Sequence, residues 1–348
     1  MSEGNHKLFR LKFLRCVVVV CALILACATA RAVTLEEVAA VYAKQLDLLQ
    51  PYRLRYKETI TRPQNDGTDK TVTLVVELLV DKLRYRKSVW SETGPEGQLE
   101  PVTTESDNGT EWRSISHGGR GIGQIVSPRP ASQIHSEMYS SPLALAGLLD
   151  NSLFEAQGDR LYSADPTDVR TLALQPEAAL LASPEMLDGK QAYVIEYPKS
   201  NPHPQFRIWV SADEKLSLLK SEAYLPSRNG DYVLLTRTIN RDFTEVCPGL
   251  FLPKQSEFQA LGFEGQAPPS TQQFELVSID VAVPVTDQDF LLEFSDGMIV
   301  QRIFTWGDKN WSIDNGFYQT LRILVGVCLL IMVGTVGFVV YRSLRKVR

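Results

Sequence analysis

A glycine-rich string is the part of the sequence that most resembles a catalytic loop: residues His117 to Gly123 read His-Gly-Gly-Arg-Gly-Ile-Gly. Esterases use loops of this composition to stabilise a developing oxyanion through backbone N–H groups. Such an esterase also needs a Gly-x-Ser-x-Gly nucleophile elbow, which this sequence lacks. A phosphate-binding loop would end in Lys-Ser or Lys-Thr, and this string does not. We therefore interpret it as a flexible hairpin connection.

Metal-binding and acid–base groups do not predict another kind of active site. The histidines beyond the N-terminal segment are His117, His135 and His203, and their separations do not match a metal-binding pair. Asp287 and Asp289 would share one face of a strand, as a glycosidase pair could. With 41 acidic residues in the chain, however, many such pairs arise by chance. The sequence thus predicts a protein that is not an enzyme and that needs no metal or cofactor.

Apolar side chains at alternate positions are the pattern that does recur. Alternate residues of a strand point to the same face, so each series forms an apolar stripe. Two interpretations are open: the stripes pack against helices as core, or a wide curved sheet leaves an apolar trough for a lipid chain. Burying about sixteen methylenes at roughly 0.8 kcal/mol each would contribute on the order of 13 kcal/mol. The residues predicted to line such a trough are Val72, Leu74, Val76, Leu78, Tyr85, Tyr193, Ile195, Phe206 and Ile208.

One helix and a long series of strands would position these stripes. Thr34 and Glu37 have capping-box spacing and predict a helix that Pro51 ends. Weaker helical patterns cover Ser141–Asp150 and Gln175–Ala182. The main predicted strands are Tyr52–Arg62, Thr71–Val80, Leu83–Trp90, Thr110–Ser116, Gln191–Tyr197, Gln205–Val210, Leu216–Leu225, Asp231–Asn240, Leu252–Leu261, Phe274–Val283 and Phe290–Phe294. The predicted fold class is α+β, mainly β: a large curved antiparallel sheet, or half-open β-barrel, wrapped around a few helices in residues 33–300.

Residues 1–32 have the layout of a secretory signal peptide. Basic residues precede an apolar run from Cys16 to Ala28, and Ala30 and Ala32 supply small residues for cleavage. As a helix the 13-residue run would span only about 20 Å, which is too short for a bilayer core of roughly 30 Å. A second route stays open, because Ile24–Cys27 resembles a lipobox that would leave Cys27 acylated.

The C-terminal region predicts a single membrane-spanning helix. Residues 323–341 contain no charge and are long enough to cross a bilayer. The tail, residues 342–348, carries four basic residues, which marks it as cytoplasmic. Residues 301–322 are then a juxtamembrane tether. The predicted location is the bacterial inner membrane, with the N-terminal domain in the periplasm.

The charge of the central region excludes one class of partner. The two terminal segments, 1–32 and 322–348, hold ten basic residues and one acidic residue, which leaves 26 basic and 40 acidic residues between them. A region this acidic repels nucleic acid, so we exclude nucleic-acid binding. Cys247 is the one cysteine of this region, so the sequence predicts neither an intrachain disulfide nor a thiolate metal site.

The order of these elements resembles the LolA/LolB-like lipoprotein-carrier superfamily. The resemblance rests on the capped helix after the signal peptide, then Leu187–Lys190 before Tyr193–Ile195, Phe206–Val210 before the turn at 211–215, and Leu252–Pro253. Phe290–Gly297 resembles the closing strand of larger members. The resemblance implies a half-open β-barrel with a helical lid that binds acyl chains or lipidated partners, without enzyme activity or a metal. The chain differs from those soluble carriers in its predicted membrane tether, and their lid-latching arginine has no assigned counterpart, although Arg53 and Arg55 are candidates.

Two functional hypotheses follow. In the first, the domain is a membrane-tethered periplasmic module that binds lipid acyl chains or lipoproteins. In the alternative, it is an envelope-sensing or protein-interaction domain. Because the basic tail is too short to signal by itself, that alternative requires a membrane protein partner.

Overall fold

The computed structural model describes residues 33–64, 67–82, 84–93, 97–118, 121–127, 141–149, 168–197, 204–227, 229–261, 269–306 and 309–314, with side chains described up to residue 303. The predicted signal peptide (1–32), transmembrane helix (323–341) and tail (342–348) lie outside these ranges, as do His135 and His203. Within the ranges, none of the helices combines the length and apolar character that a bilayer crossing requires.

A single mixed sheet contains the sixteen strands that the described ranges hold. Its spatial order is β16-β15-β6-β5-β4-β3-β2-β1-β14-β13-β12-β11-β10-β9-β7, and β8 also pairs with β9. The strands are β1 (Tyr52–Pro63), β2 (Asp69–Asp81), β3 (Arg84–Thr93), β4 (Gln98–Asp107), β5 (Trp112–Ser116), β6 (Ile122–Ser127), β7 (Ala179–Leu180), β8 (Glu185–Leu187), β9 (Lys190–Tyr197), β10 (Gln205–Ser211), β11 (Leu218–Pro226), β12 (Tyr232–Cys247), β13 (Leu250–Ala260), β14 (Ser270–Val281), β15 (Ile299–Trp306) and β16 (Lys309–Asp314).

Most neighbouring strands are antiparallel, as short hairpin connections require. β15 differs, because it runs parallel to β6. At the centre, β1 pairs with β2 on one side and with β14 on the other. The sheet therefore has two ends, which we call the Tyr52 end and the Pro63 end after the first and last residues of β1.

The described residues include three α-helices beside the sheet: α1 (Leu35–Leu49), α2 (Pro142–Leu145) and α3 (Val169–Ala173). The predicted capping box of α1 is confirmed, since Glu37 N donates to Thr34 Oγ1 at 3.2 Å and Thr34 N donates to Glu37 Oε2 at 3.0 Å. α1 buries one face, which includes Val38 and Tyr42. This face packs into the main hydrophobic core.

The sheet's inner face carries that core. Leu54 of β1 is fully buried there, together with Leu78 of β2, Ile208 of β10 and Leu250 of β13. Burying a leucine or isoleucine side chain contributes about 1.5–3 kcal/mol. A smaller second cluster, formed by Val194, Trp209 and neighbours, lies on the opposite or outer face.

A crossing segment, which we call the strap (residues 282–298), joins β14 to β15 over the outer face. Its 3-10 helix, Asp287–Phe290, places the buried Phe290 ring 4.7 Å from the guanidinium carbon of Arg84. Further along, the Phe294 ring lies so close to Gly123 that a Cβ there would be 2.5 Å from it. The strap thus packs on the outer face from β3 to β6.

The predicted strand at Phe290–Phe294, including its interpretation as a closing strand, is wrong, because this segment is part of the strap. Leu292 uses its carbonyl to accept a hydrogen bond from Arg113 Nη1 at 2.9 Å. The apolar residues of Phe290–Phe294 alternate because one side of this extended segment packs on the sheet. Alternating apolar and polar residues show that one side of a segment is buried. They do not require the segment to be hydrogen-bonded to a neighbouring strand.

Other differences from the sequence prediction are local. The predicted helix at Gln175–Ala182 is wrong, because the helix ends at Ala173 and Ala179–Leu180 forms β7. A helix does form within the predicted segment Ser141–Asp150, but it has only four residues, with Ser141 as its N-cap. The sheet also continues past residue 300, so β15 and β16 occupy much of the segment interpreted as a tether. The pairing of β15 with β6 is the reason for this difference, because it holds in the sheet residues that a tether would leave unpaired.

Candidate functional site

All nine residues predicted to line a trough lie on the inner face. The even-numbered residues of β2 alternate onto it, and Tyr85 lies opposite Val80 on β3. On the other side of the sheet, Ile195 is paired with Ile208. Six of the nine are buried: Val76, Leu78, Tyr85, Ile195, Phe206 and Ile208. Val72, Leu74 and Tyr193 are only partly buried.

The six buried residues belong to the same core cluster as the helices. They are therefore packed against the protein's own side chains, as the core interpretation of the stripes predicts. A bound molecule can contact the inner face only where the side chains of that face are less buried.

Burial decreases steadily along the central pair of strands. From the Tyr52 end, the inner-face pairs of β1 and β2 are Tyr52–Val80, Leu54–Leu78, Tyr56–Val76, Glu58–Leu74, Ile60–Val72 and Arg62–Lys70. We call these six pairs the inner-face column. The first three pairs are at most 3% exposed. Leu74, Ile60 and Val72 are partly buried, and both members of the last pair are exposed.

Two apolar residues of this region were missed by the sequence prediction. Ile60 lies in the column, and Phe258 of β13 is partly buried on the same face near Gln272. Ile60 could have been found by extending the alternation of Tyr52, Leu54 and Tyr56 through the intervening Glu58. The column is therefore apolar and buried at the Tyr52 end. Toward the Pro63 end it is apolar and partly exposed, and its last pair is Arg62 and Lys70.

The carboxylate of Glu58 interrupts the apolar part of the column. Its side chain is largely buried, with the residue 8% exposed, and it takes part in a polar contact. A charged group this buried needs such contacts to offset its desolvation. The apolar surface beyond it, at Ile60 and Val72, is therefore bordered by charge on both sides.

A glycine joint connects α2 and α3 within the main hydrophobic core. Gly147, at φ +75°, follows the last turn of α2, where its N–H donates to the Ala144 carbonyl while Leu148 N donates to Leu143 O. This is a Schellman ending, which requires a left-handed residue at that position. Gly147 also approaches Val169 closely, so a side chain at this position would overlap α3.

Asn240 of β12 connects α2 to the sheet by hydrogen bonds. Its side-chain amide donates to the carbonyls of Leu145 and Leu218 at 2.7 and 2.8 Å. Because Asn240 is 5% exposed, these bonds supply buried donors to two backbone carbonyls.

The glycine-rich string connects β5 and β6, as predicted for a hairpin connection. His117 at its start is exposed and lies 3.0 Å from Thr104 Oγ1. Among the described residues, no group of three or more His, Cys, Asp or Glu side chains could hold a metal ion.

Two shallow cavities of about 230 and 240 Å³ open on the outer face. The first is lined mostly by polar groups, among them Lys57, Arg241 and Glu275. The second lies beside Leu219, Ile239 and Asp242. Charged side chains line both cavities, which makes them unsuitable for an acyl chain.

The outer face also carries a dense network of charged and aromatic groups. Lys220 Nζ lies 4.2 Å from the Trp209 ring, whose N–H donates to Glu185 at 2.9 Å. Next to it, Glu222 accepts from Tyr224 and Arg237. Burial by itself would raise the pKa of Glu222, but hydrogen bonds from Tyr224, Lys220 and Arg237 hold that pKa below its ordinary value. Burial and the Glu222 anion raise the pKa of Tyr224 to about 12.

No protein-family model matches the chain, and no curated protein matches it in sequence. Solved structures similar to it include a DUF1329 family protein from Desulfovibrio piger, with a TM-score of 0.42, 14% identity, and coverage of 75% of this chain and 98% of that one. Another is a putative outer membrane lipoprotein-sorting protein domain from Vibrio parahaemolyticus, with a TM-score of 0.39, 11% identity, and coverage of 74% and 95%. A third is a LolA superfamily protein from Nitrosomonas europaea, with a TM-score of 0.38, 13% identity, and coverage of 75% and 99%. Each similarity covers about three quarters of this chain, and one of the three proteins is named as a member of the LolA superfamily.

Proposed function

We propose that this chain is a non-catalytic binding module for lipid acyl chains or lipidated proteins, held at a membrane by residues 323–341. The observation that supports the proposal is the gradient of burial along the inner-face column. The apolar pairs at the Tyr52 end are buried in the core, and beyond the Glu58 carboxylate the stripe resumes as partly exposed side chains near the Pro63 end. The part beyond Glu58 gives an acyl chain an apolar surface that is not fully covered by the protein's own side chains.

The physical argument depends on the part of the column beyond Glu58. Strand residues rise about 3.4 Å each, so the surface from Glu58 to Arg62 is roughly 14 Å long. Ile60 and Val72 face each other across this stretch, with Leu74 beside them. Each methylene that leaves water there contributes about 0.8 kcal/mol.

A displaceable fluorescent fatty acid tests the proposal on the full-length protein in detergent. Val72→Asn places a polar group on the stripe, and Val277→Asn is the matched control, because Val277 is 50% exposed at an irregularity of β14. We expect Val72→Asn to weaken binding about tenfold or more, since an amide without a partner opposes burial of the chain. The control variant should bind as the parent does.

The proposal fails if the parent protein does not bind the probe, or if both variants weaken it equally. Native mass spectrometry of protein extracted from membranes gives an independent check, since an acyl ligand would appear as a bound mass. If binding is absent and crosslinking in membranes captures a membrane protein, the envelope-sensing alternative replaces the proposal.

A further inference from the structure

The last pair of the inner-face column consists of two cations. Arg62 of β1 and Lys70 of β2 lie directly opposite each other in the antiparallel register. Both are two residues beyond Ile60 and Val72, so they point to the same face as that apolar pair. Both are exposed.

Two like charges placed directly opposite each other destabilise a sheet. In the described part of the chain, neither Arg62 nor Lys70 forms an ion pair with a carboxylate. The inner-face carboxylates of nearby strands are Glu58, four residues back along β1, and Glu100, two strands away on β4. Strand geometry puts both at least about 10 Å away.

Local positive charge also contrasts with the strong acidity of the region between the terminal segments. Bound anionic oxygens would convert the repulsion between the two cations into attraction to a shared partner. The position of the pair then determines what kind of anion fits, because the adjoining surface toward the Tyr52 end is apolar at Ile60 and Val72.

We propose that Arg62 and Lys70 form a head-group site for the carboxylate or phosphate of an amphiphile whose acyl chain lies on the inner face beside Ile60 and Val72. This inference rests on the proposed function and adds selectivity to it. The bound molecule is an anionic amphiphile, with its charged group at the Pro63 end and its chain directed toward the Tyr52 end.

A comparison of three ligands with one chain length tests the site on the full-length protein: a sixteen-carbon fatty acid, its methyl ester and the corresponding alcohol. At low salt the parent protein should prefer the acid by about tenfold, a difference that corresponds to about 1.4 kcal/mol. The preference should shrink at high salt, because ions screen exposed charges.

The test variant is the double substitution Arg62→Gln with Lys70→Gln. It should remove the preference for the acid while binding of the alcohol stays unchanged. The charge-matched control is Lys44→Gln with Lys82→Gln, which removes two exposed cations that lie outside the inner-face column. The control should keep the preference.

Each outcome bears on a distinct claim. If the parent binds acid and alcohol equally, or if the control loses as much preference as the test variant, the head-group site is wrong while chain binding stands. If the parent binds none of the three ligands, the proposed function itself fails.

The source of the anion is distinguished by a second arm, which measures uptake of a fluorescent phospholipid from phosphatidylglycerol and from phosphatidylcholine vesicles. Faster uptake from phosphatidylglycerol that requires Arg62 and Lys70 assigns the site to a phospholipid head group. Equal uptake, with a preserved preference for the fatty acid, assigns it to free carboxylates.

Discussion

Replacing Gly147 with alanine adds one methyl group at the joint between α2 and α3, where the structure leaves no room for it. Two costs combine. A non-glycine residue in the left-handed region costs about 1–2 kcal/mol, and Gly147 has φ +75°. The added Cβ would also overlap Cγ2 of Val169 and lie 3.2 Å from Cδ2 of Leu218. Overpacking a core in this way costs about 1–3 kcal/mol.

The expected destabilisation from Gly147→Ala is therefore about 2–5 kcal/mol. Gly189→Ala isolates the backbone part, because Gly189 has φ +78° and no described atom lies within 4 Å of its added Cβ. This control should cost only about 1–2 kcal/mol. Urea unfolding followed by tryptophan fluorescence measures both values, with the slopes compared to confirm that the same surface unfolds.

A double-mutant cycle with Val169→Ala tests the cause. Val169→Ala removes the overlapping methyl group, so the cost of the double variant should fall short of the sum of the two single costs by about 1–3 kcal/mol. Equal costs for Gly147→Ala and Gly189→Ala, or additive costs in the cycle, would refute the packing argument. Either result would mean that α3 does not press on the joint.

Three further predictions concern the helices and the outer face. Asn240→Leu should destabilise the protein by about 2–4 kcal/mol in the same urea assay, because the carbonyls of Leu145 and Leu218 would each lose a buried donor. Thr34→Ala should cost about 1 kcal/mol, since it removes the cap of α1, and circular dichroism should show a small loss of helix. The folded-state pKa of Glu222 lies below its ordinary value of 4.5, so its stabilising contribution is present above that pH and is lost as the pH falls through the lower folded value. Stability measured between pH 6 and 3 should accordingly fall less steeply in Glu222→Gln than in the parent.

The faces of the strands could be predicted from the sequence because their period is two. Alternate residues of a strand share a face, so the sequence predicts that Val72, Leu74, Val76 and Leu78 lie together. A one-residue change in register would move all four to the other face. Burial along the strand could not be predicted in the same way. It depends on where the helices lie, and nothing in the alternation distinguishes Leu78, under the helices, from Val72 near the Pro63 end.

Strands without an apolar stripe were missed. β4 carries Glu100, Pro101 and Glu105, and most of its side chains are exposed or only partly buried, so it has almost no alternation to detect. Phe290–Phe294 shows the opposite error, since it alternates without pairing because it lies flat on the sheet. The site at the Pro63 end was not predicted for a related reason. Arg62 and Lys70 are neighbours only because of the register between β1 and β2, which the sequence does not specify.

The central pairing of the sheet has a consequence for how the chain matures. β1 is made near the start of the domain, yet one of its edges is completed by β14, with Tyr52 opposite Val281 and Thr61 opposite Thr271. During synthesis from the N-terminus, that edge must stay unsatisfied until almost the whole domain has been made. Long-range pairing of this kind slows folding and leaves an exposed edge open to aggregation. A chaperone that shields β1 would therefore raise the yield of folded protein, and truncation before residue 270 should leave an insoluble product.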